Sequence, residues 1–339
     1  MIQTSEWVSP GHPDKVADFI SSYILDRYIE QDPKTRFALE VQIKDNFVSL
    51  AGEVTSQANF PPERIADFVR EAVNKIGYTA QYQRQWGPEN TICGNDIEVV
   101  QHIGQQSPDI AQGVNADGWG DQGIFHGMAV NDPDTDYMPK DWWLARKIGM
   151  HLYETRYAGI DIKTQVTLTD GKIDEIVVAI PMMHRHFTSD VEAAVAYCCG
   201  GSRDYRVFVN GTGKFMKHGP IGDAGTTGRK LAVDFYGGNC KIGGGSCWTK
   251  DGTKADLTLN LLARERALNY IQQHPECDCQ VMYCAISCRI GSPEIMIVLT
   301  DVNGNSIVSK ENITPAELIR HFRLDEPRFA KMCMYGLFS

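Results

Sequence analysis

Apolar positions along the chain change between helical and strand spacing at regular intervals. Between residues 14 and 31 they recur every three or four positions, which predicts an amphipathic helix ended by Asp32-Pro33. Residues 37–43 alternate strictly between apolar and polar, and residues 47–51 follow after a polar turn, so a β-hairpin is predicted. Residues 61–77 return to helical spacing and end in glycine. The first third therefore predicts a helix, a hairpin and a second helix.

The same order of elements returns twice. Residues 165–180 predict a second hairpin around Asp170-Gly171, and a helix is expected from about residue 189. Near the C-terminus residues 281–299 predict two more strands, and Thr314-Pro315-Ala316-Glu317 predicts a helix start with a capping box. Three such units indicate an α+β chain of three similar domains. The polar stretches near 108–115 and 200–205 place them at residues 1–108, 114–204 and 205–339.

Composition and charge exclude several classes of protein. The chain has 339 residues, of which 42% are hydrophobic, and this is typical of globular proteins with two or three domains. Its net charge of −10 argues against general affinity for nucleic acid or anionic lipid. The apolar runs at 176–180 and 295–299 are far too short to span a bilayer, and the N-terminus lacks signal-peptide features. A cytosolic location is expected.

The ten cysteines are too dispersed for a disulfide framework, so thiols are expected in a reducing compartment. The densest group is Cys277, Cys279, Cys284 and Cys288, whose spacing is not that of a paired zinc motif. Because residues 280–286 are typical of a strand, the pattern favours core packing of these cysteines over a metal site.

Four segments, one of them the glycine run at 243–245, hold residues that a plain scaffold would not need. Residues 11–15 place His12, Asp14 and Lys15 at a predicted helix start, where free backbone N–H groups favour anions, although Asp14 could simply cap the helix. Residues 219–230 form a glycine-rich stretch ending in Arg-Lys, which suits an oxyanion but also a flexible surface loop. Residues 250–256 combine two lysines with an aspartate, a set that suits a phosphate chain and its Mg²⁺.

These segments match the motifs of one protein family in both their order and their residues. The chain resembles S-adenosylmethionine synthetases (methionine adenosyltransferases). The matching motifs are GHPDK at 11–15, GQQSPDI at 104–110, GDQG at 120–123, GPIGDAGTTGRK at 219–230, the Asp234-x-Tyr236-Gly-Gly element and KDGTKAD at 250–256. The resemblance covers nearly the whole chain and implies three α+β domains with pseudo-threefold repetition.

The resemblance also implies a reaction. The methionine sulfur would attack C5′ of ATP and expel the triphosphate, which would then be hydrolysed to diphosphate and phosphate. A thioether has no proton to lose, so the first step needs no general base. His12 matches a catalytic histidine that contacts ATP, and Lys163 matches a lysine beside the reacting centre. Further catalytic roles are implied for Asp121, Arg229 and Lys250.

The remaining implied ligands divide by substrate. Those of ATP are Lys15, Asp161, Lys163, Lys214, Phe215, Asp223, Arg229, Lys230, Ser246 and Lys250. Those of methionine are Glu53, Gln106, Asp223 and Lys254. Two Mg²⁺ ions per site would be held at Asp14 and Asp256, and K⁺ at Glu40. The resemblance further implies a homodimer, alone or paired into a tetramer, with active sites at the subunit interface.

The sequence departs from the family pattern at four places. The stretch from Asp109 to Asp121 is short, and Leu257 stands where an arginine is common. Residues 243–248 read Gly-Gly-Gly-Ser-Cys-Trp, and the chain ends soon after Tyr335-Gly336. Two alternatives to an active synthetase are a silent ATP-binding homologue that regulates a true synthetase and an enzyme that only hydrolyses polyphosphate. The retained site residues argue against both.

Overall fold

The computed structural model describes residues 1–105, 118–156, 158–183, 188–275 and 279–338. Its strands are β1 (Ile2–Val8), β2 (Arg36–Lys44), β3 (Phe47–Thr55), β4 (Glu98–Gly104), β5 (Gly123–Val130), β6 (Lys163–Thr169), β7 (Lys172–Ala179), β8 (Arg206–Val209), β9 (Gly225–Thr226), β10 (Val281–Cys288), β11 (Glu294–Asp301) and β12 (Ser306–Asn312). Its helices are α1 (Pro13–Ile29), α2 (Pro62–Ile76), α3 (Ala80–Trp86), α4 (Lys140–Thr155), α5 (Thr188–Cys198), α6 (Leu231–Asp234), α7 (Ala255–Gln273), α8 (Pro315–Phe322) and α9 (Phe329–Tyr335).

The strands form three four-stranded sheets, each built on a hairpin. Their orders are β4-β3-β2-β9, β8-β7-β6-β1 and β12-β11-β10-β5. In the first two sheets a crossover helix, α2 or α5, returns the chain to a strand parallel to its neighbour. In the third sheet β12 instead continues antiparallel to β11. The predicted α+β class with three similar units is confirmed.

Each sheet is completed by a strand from another third of the chain. β1 pairs with β6, β5 pairs with β10, and the two-residue β9 pairs with β2. The three units therefore interlock, and the chain cannot be cut into independent sheets at any one point. The predicted domain boundaries at 1–108, 114–204 and 205–339 stay predictions.

The helix α1 lies at the centre of this arrangement. The sequence predicts an amphipathic helix, but nearly all of its residues are buried, including Asp14, Asp18, Ser22 and Asp26. Each of these polar side chains has a hydrogen-bond partner in a different part of the chain, which offsets the cost of its burial. A second core lies between α7 and the third sheet and includes the buried Cys279 and Cys284, as predicted. Cys277 lies outside the described residues.

Two local predictions are confirmed at the helix ends. α2 ends at Gly77, which has a φ of 124°. α8 begins with the predicted capping box between Thr314 and Glu317. Within the described part of the chain, every helix is too short or too polar to cross a bilayer.

Candidate active site

The glycine-rich segment folds over the N-terminus of α1 and binds Asp14. Asp14 Oδ1 accepts hydrogen bonds from the Thr226 backbone N–H and from Arg229 Nε, both at 2.9 Å. Its other oxygen accepts from Lys230 Nζ at 2.6 Å. Burial alone would raise the pKa of Asp14, but the hydrogen bonds from Lys230 and Thr226 hold it below its usual range. Asp14 is therefore more than a helix cap, because it binds both cations of the loop.

This contact requires a glycine in the loop. A Cβ on Gly225 would lie 2.0 Å from the carbonyl oxygen of Pro13. Only a residue without a side chain lets β9 approach the start of α1 so closely.

His12 precedes α1 as its N-cap and is buried. Its Nδ1 accepts a hydrogen bond from the Asp14 N–H at 3.2 Å. Burial, together with the nearby ammonium groups of Lys163 and Lys230, lowers the pKa of His12 to about 3, although Asp14 opposes the shift. The imidazole is thus neutral at pH 7, and because Nδ1 accepts, Nε2 carries the proton and can donate. A neutral donor in a cationic setting suits contact with a phosphate oxygen.

Lys163 reaches the same place because β1 and β6 are paired. Val8, just before the His12 segment, stands opposite Lys163, the first residue of β6. The neighbouring Asp161 is buried and accepts the Gly219 N–H at 2.7 Å. Burial raises the pKa of Asp161 to about 7, and Lys163 opposes this shift while Asp223 adds to it. We call the residues around this helix start the Asp14 group; its members are His12, Asp14, Lys163, Arg229 and Lys230.

A cavity of about 480 Å³ adjoins the segment that leads to Gly219. Lys214 and Phe215 line it, as do Met182, Met183 and Met216. The Phe215 carbonyl accepts the Met182 N–H at 3.0 Å, which fixes this wall of the cavity. The two predicted neighbours of the base and ribose thus share one pocket that is large enough for a nucleoside.

A second set of predicted residues gathers where α7 begins. Asp256 Oδ1 accepts the Gly245 N–H at 2.6 Å, and its other oxygen pairs with Lys250. Gly244 has a φ of 83°, so the glycine run turns tightly around this carboxylate. Burial raises the pKa of Cys288 to about 11, and the charges of Asp121 and Asp256 add to this shift, so both carboxylates act on the Cys288 thiol. The Asp256 group comprises Asp121, Lys250 and Asp256.

Two predicted glutamates share the outer face of the first sheet. Glu40 on β2 stands opposite Ala51, and Glu53 on β3 stands opposite Ala38. Glu40 accepts hydrogen bonds from the hydroxyls of Thr227 and Thr249, the latter at 3.2 Å. Glu53 is exposed on the side of the sheet away from α1. Gln106, the other predicted methionine ligand, lies outside the described residues, as does the polar stretch at 108–115.

Two predicted lysines have their charges bound inside the chain. Lys15 is buried, donates to Asp234 at 2.8 Å and Asp18 at 3.2 Å, and lies 4.6 Å from the centre of the Trp248 ring. Lys254 Nζ donates to Asp251 at 2.6 Å. The contacts thus give Lys15 an internal ion-pair role, and its predicted ATP contact stays a prediction. The predicted contact of Lys254 with methionine stays a prediction as well.

Ser246 and Asp223 lie at the rim of these groups. The Ser246 hydroxyl accepts the Trp248 N–H at 3.3 Å, and a Cβ placed on Gly228 would lie 3.0 Å from the Ser246 Cβ. Asp223 is exposed and binds the Ala224 N–H. Ser246 therefore lies beside the glycine-rich segment that contains Asp223, and the predicted substrate contacts of both residues stay predictions.

Two departures from the family pattern are accommodated inside the protein. Leu257 is buried in the large core, and Trp248 donates its indole N–H to Asp234 at 2.7 Å. Neither residue points to a lost ligand. The sequence reasoning missed Asp18, although its position four residues after Asp14 on a helix places it on the same face.

Three family models match consecutive parts of the chain. They describe the S-adenosylmethionine synthetase N-terminal domain at residues 1–108, its central domain at 116–215 and its C-terminal domain at 217–339. The chain belongs to the S-adenosylmethionine synthetase family.

Relatives that match along their length carry the same name. The chain is 34% identical to an S-adenosylmethionine synthase of Brachyspira hyodysenteriae, with 99% of the chain and 92% of the relative covered. It is 35% identical to one of Mesoplasma florum, with 99% and 94% covered. An unusual S-adenosylmethionine synthetase from Campylobacter jejuni has a similar structure, with a TM-score of 0.85 at 28% identity over 99% of this chain and 94% of that one.

The predicted resemblance is therefore confirmed, and so is the predicted activity at the level of the family, that of a methionine adenosyltransferase. S-adenosylmethionine synthetases use ATP and methionine as substrates and are generally metal-dependent. The individual site residues, the ion stoichiometry and the subunit arrangement remain predictions.

Proposed function

We propose that this chain transfers the adenosyl group of ATP to methionine at the Asp14 group and then hydrolyses the released triphosphate. The observation that carries this proposal is the convergence of three cations, Lys163, Arg229 and Lys230, around a neutral buried imidazole. Such a set can bind a polyphosphate without needing a proton acceptor for the nucleophile.

In the proposed reaction the bond between sulfur and C5′ forms as the bond between C5′ and the triphosphate oxygen breaks. The sulfur becomes a sulfonium, and the leaving oxygen takes the electron pair. His12 Nε2 donates to that oxygen or its phosphate, while Lys163, Arg229 and Lys230 offset the growing negative charge. The pocket beside Lys214 and Phe215 orients the base and ribose so that C5′ faces the sulfur. Methionine is held by Glu53, Gln106, Asp223 and Lys254.

The residues fit the metal ions that the sequence predicts. Mg²⁺ is usually bound through one or two carboxylates together with substrate phosphates, and Asp14 and Asp256 each offer one carboxylate beside phosphate-binding cations. Among the described residues no cluster of three or more metal-ligating side chains is present, so a site without phosphate would be incomplete. Bound Mg²⁺ supplies charge that offsets the triphosphate. K⁺ would be held by Glu40 and neighbouring oxygens.

We propose further that two subunits share each site. No hydrogen bond or ion pair joins the Asp14 group to the Asp256 group within the described residues, and Glu40 and Glu53 lie on a sheet face that α1 does not cover. A homodimer that pairs these faces, alone or paired into a tetramer, would bring the groups together. The cytosolic location stays a prediction.

One assay tests the reaction. The purified protein is incubated with ATP, methionine, Mg²⁺ and K⁺, and S-adenosylmethionine and phosphate are followed together. We expect both products in equal amounts. Phosphate that does not depend on methionine would favour a polyphosphate hydrolase, and absence of both products with retained ATP binding would favour a silent homologue.

Mixing two inactive variants tests the shared site. Lys163→Met disables the Asp14 group and Lys250→Met disables the Asp256 group, so neither homodimer contains an intact site. If the groups come from different subunits, random re-pairing restores about a quarter of the wild-type activity, because mixed dimers have one intact site. Mixing two variants of the same group, Lys163→Met and Arg229→Met, is the control and should restore nothing. Equal activity in both mixtures would contradict a shared site.

A further inference from the structure

His218 lies at the centre of a buried aromatic cluster behind the nucleoside pocket. It has no exposed surface, and its ring centre lies 4.7 Å from that of Trp86, 5.6 Å from that of Tyr82 and 6.4 Å from that of Tyr78. It does not line the pocket, but Met216 two residues earlier does. Any influence of His218 on a bound nucleotide must therefore pass through the backbone of the pocket wall.

The hydrogen bonds of His218 have a defined direction. Nδ1 lies 2.7 Å from the Met216 carbonyl oxygen, which can only accept, so Nδ1 carries a proton. Burial lowers the pKa of His218 to about 4, so the ring is neutral and Nε2 is an acceptor. Nε2 lies 2.7 Å from the Tyr82 hydroxyl, which therefore donates. The Tyr82 oxygen in turn accepts the Ile160 N–H at 3.1 Å.

This chain of bonds connects two predicted substrate-binding segments. At one end Ile160 precedes Asp161 and Lys163, and at the other end Met216 follows Phe215 in the pocket wall. The same wall is held on its other side by the bond between the Phe215 carbonyl and the Met182 N–H. Without His218, the wall would lose the side-chain hydrogen bond that this residue donates to the Met216 carbonyl.

We propose that Tyr82 and His218 are positioning residues that fix the wall of the nucleoside pocket, residues 214–216, against the segment that carries Lys163. The pair does not touch substrate. It sets the distance between the base and the reacting end of ATP, and so it contributes to nucleotide affinity and to discrimination between purine bases. This inference rests on the proposed function, because it assigns the pocket to the nucleoside of ATP.

The decisive variant is Tyr82→Phe, which keeps the ring but removes both hydrogen bonds of the hydroxyl. We expect the KM for ATP and the dissociation constant of a non-hydrolysable ATP analogue to rise about tenfold, while kcat and the KM for methionine stay within twofold. The preference for ATP over GTP in kcat/KM should fall as well. The control is Tyr153→Phe, since Tyr153, which is more deeply buried than Tyr82, donates to the Ile76 carbonyl at 2.6 Å, outside both segments.

A double-mutant cycle tests whether Tyr82 and His218 act as one unit or independently. His218→Asn keeps a donor near Met216 but loses the acceptor for Tyr82, so the double variant should be no worse than the more impaired single variant. If the increase in the KM for ATP in the double variant equals the product of the increases in the two single variants, the proposal is overturned. It is also overturned by a KM for ATP in Tyr82→Phe within twofold of the Tyr153→Phe value, or by a loss confined to kcat. Thermal unfolding of each variant shows that the protein is folded.

The analogue titration keeps this test separate from that of the proposed function. If the wild type binds the analogue but forms no S-adenosylmethionine, the proposed function fails. Weaker analogue binding by Tyr82→Phe than by Tyr153→Phe would still support the positioning pair in that case.

Discussion

Asp18 accepts a hydrogen bond from the Gly228 backbone N–H at 2.9 Å, one helical turn beyond the point where Asp14 binds Thr226, Arg229 and Lys230. Gly228 has a φ of 74°, so it forms the turn that directs the next two side chains back toward Asp14. The other oxygen of Asp18 pairs with the buried Lys15. Two carboxylates on one face of α1 therefore hold the whole segment that presents the cations.

Asp18→Ala tests this positioning role. Removing the acceptor leaves the Gly228 N–H without its partner, and a buried group left unpaired costs about 1–3 kcal/mol. We expect kcat/KM for ATP to fall about tenfold or more, with a smaller loss in Asp18→Asn, which keeps an acceptor oxygen. Steady-state kinetics and thermal unfolding are compared with Asp26→Ala, a buried carboxylate on the same helix far from the turn. Equal kinetic losses in Asp18→Ala and Asp26→Ala would show only general destabilisation.

Lys163→Met should abolish nearly all adenosyl transfer while the fold persists. The side chain is exposed and its charge acts on His12 and Asp161, so its loss removes electrostatic stabilisation without opening the core. Loss of one such contact to a transition state costs roughly 10²-fold or more in rate. Product formation is measured at saturating ATP and methionine, with circular dichroism as the check on folding. A rate within about threefold of wild type would remove Lys163 from the reacting centre.

Asp14→Asn and Asp256→Asn should each raise the Mg²⁺ concentration that gives half-maximal activity. Each carboxylate is the acidic member of a cationic group, and a triphosphate needs metal charge in addition to lysines and arginines. Activity is titrated with Mg²⁺ at fixed ATP, and Asp251→Asn is the control because Asp251 pairs with Lys254 inside the chain. Unchanged titrations in both site variants would argue against metal binding at these residues.

Local patterns predict much of this fold because they depend on residues close in sequence. The two early hairpins follow from strict alternation, and the capping box of α8 follows from Thr314 and Glu317 alone. The strand exchange between the three sheets has no such signal. Gly225-Thr226 is too short to show a period, and β1 pairs with a strand more than 150 residues away. Such pairings depend on tertiary packing, which a sequence pattern does not encode.

The residues of the candidate site could likewise be predicted only in part from the sequence. The motifs predict His12, Asp14, Lys163, Arg229 and Lys230, and the fold brings these five together. They do not show that Lys15 is bound by Asp234, because that partner lies 219 residues further along the chain. Nor do they show Tyr82 and His218, whose importance arises only from hydrogen bonds between distant segments.

Asp26 is the last of the buried carboxylates on α1, and we expect it to make the stability of the protein depend on pH. Asp26 accepts the backbone N–H groups of Phe329 and Ala330 and so holds the start of α9. Burial raises the pKa of Asp26 from its usual 3.8 to about 6, although these hydrogen bonds and Arg27 oppose the shift and Glu30 adds to it. The unfolded chain therefore loses this proton at lower pH than the folded chain does.

Asp26→Asn should accordingly remove one part of the pH dependence of unfolding. Below about pH 4 Asp26 is protonated in both states and ionisation costs nothing. As the pH rises from about 4 to 6 the wild type loses about 3 kcal/mol of stability at this position, which the variant does not. The difference in the free energy of unfolding, wild type minus variant, should therefore decrease between pH 4 and 6 and level off by pH 7. It is measured by urea unfolding at unit steps of pH, and Asp18, which titrates in the same range, is present in both proteins and cancels. A difference that stays constant from pH 4 to 7 would show that Asp26 ionises normally and that its two backbone hydrogen bonds offset the full cost of its burial.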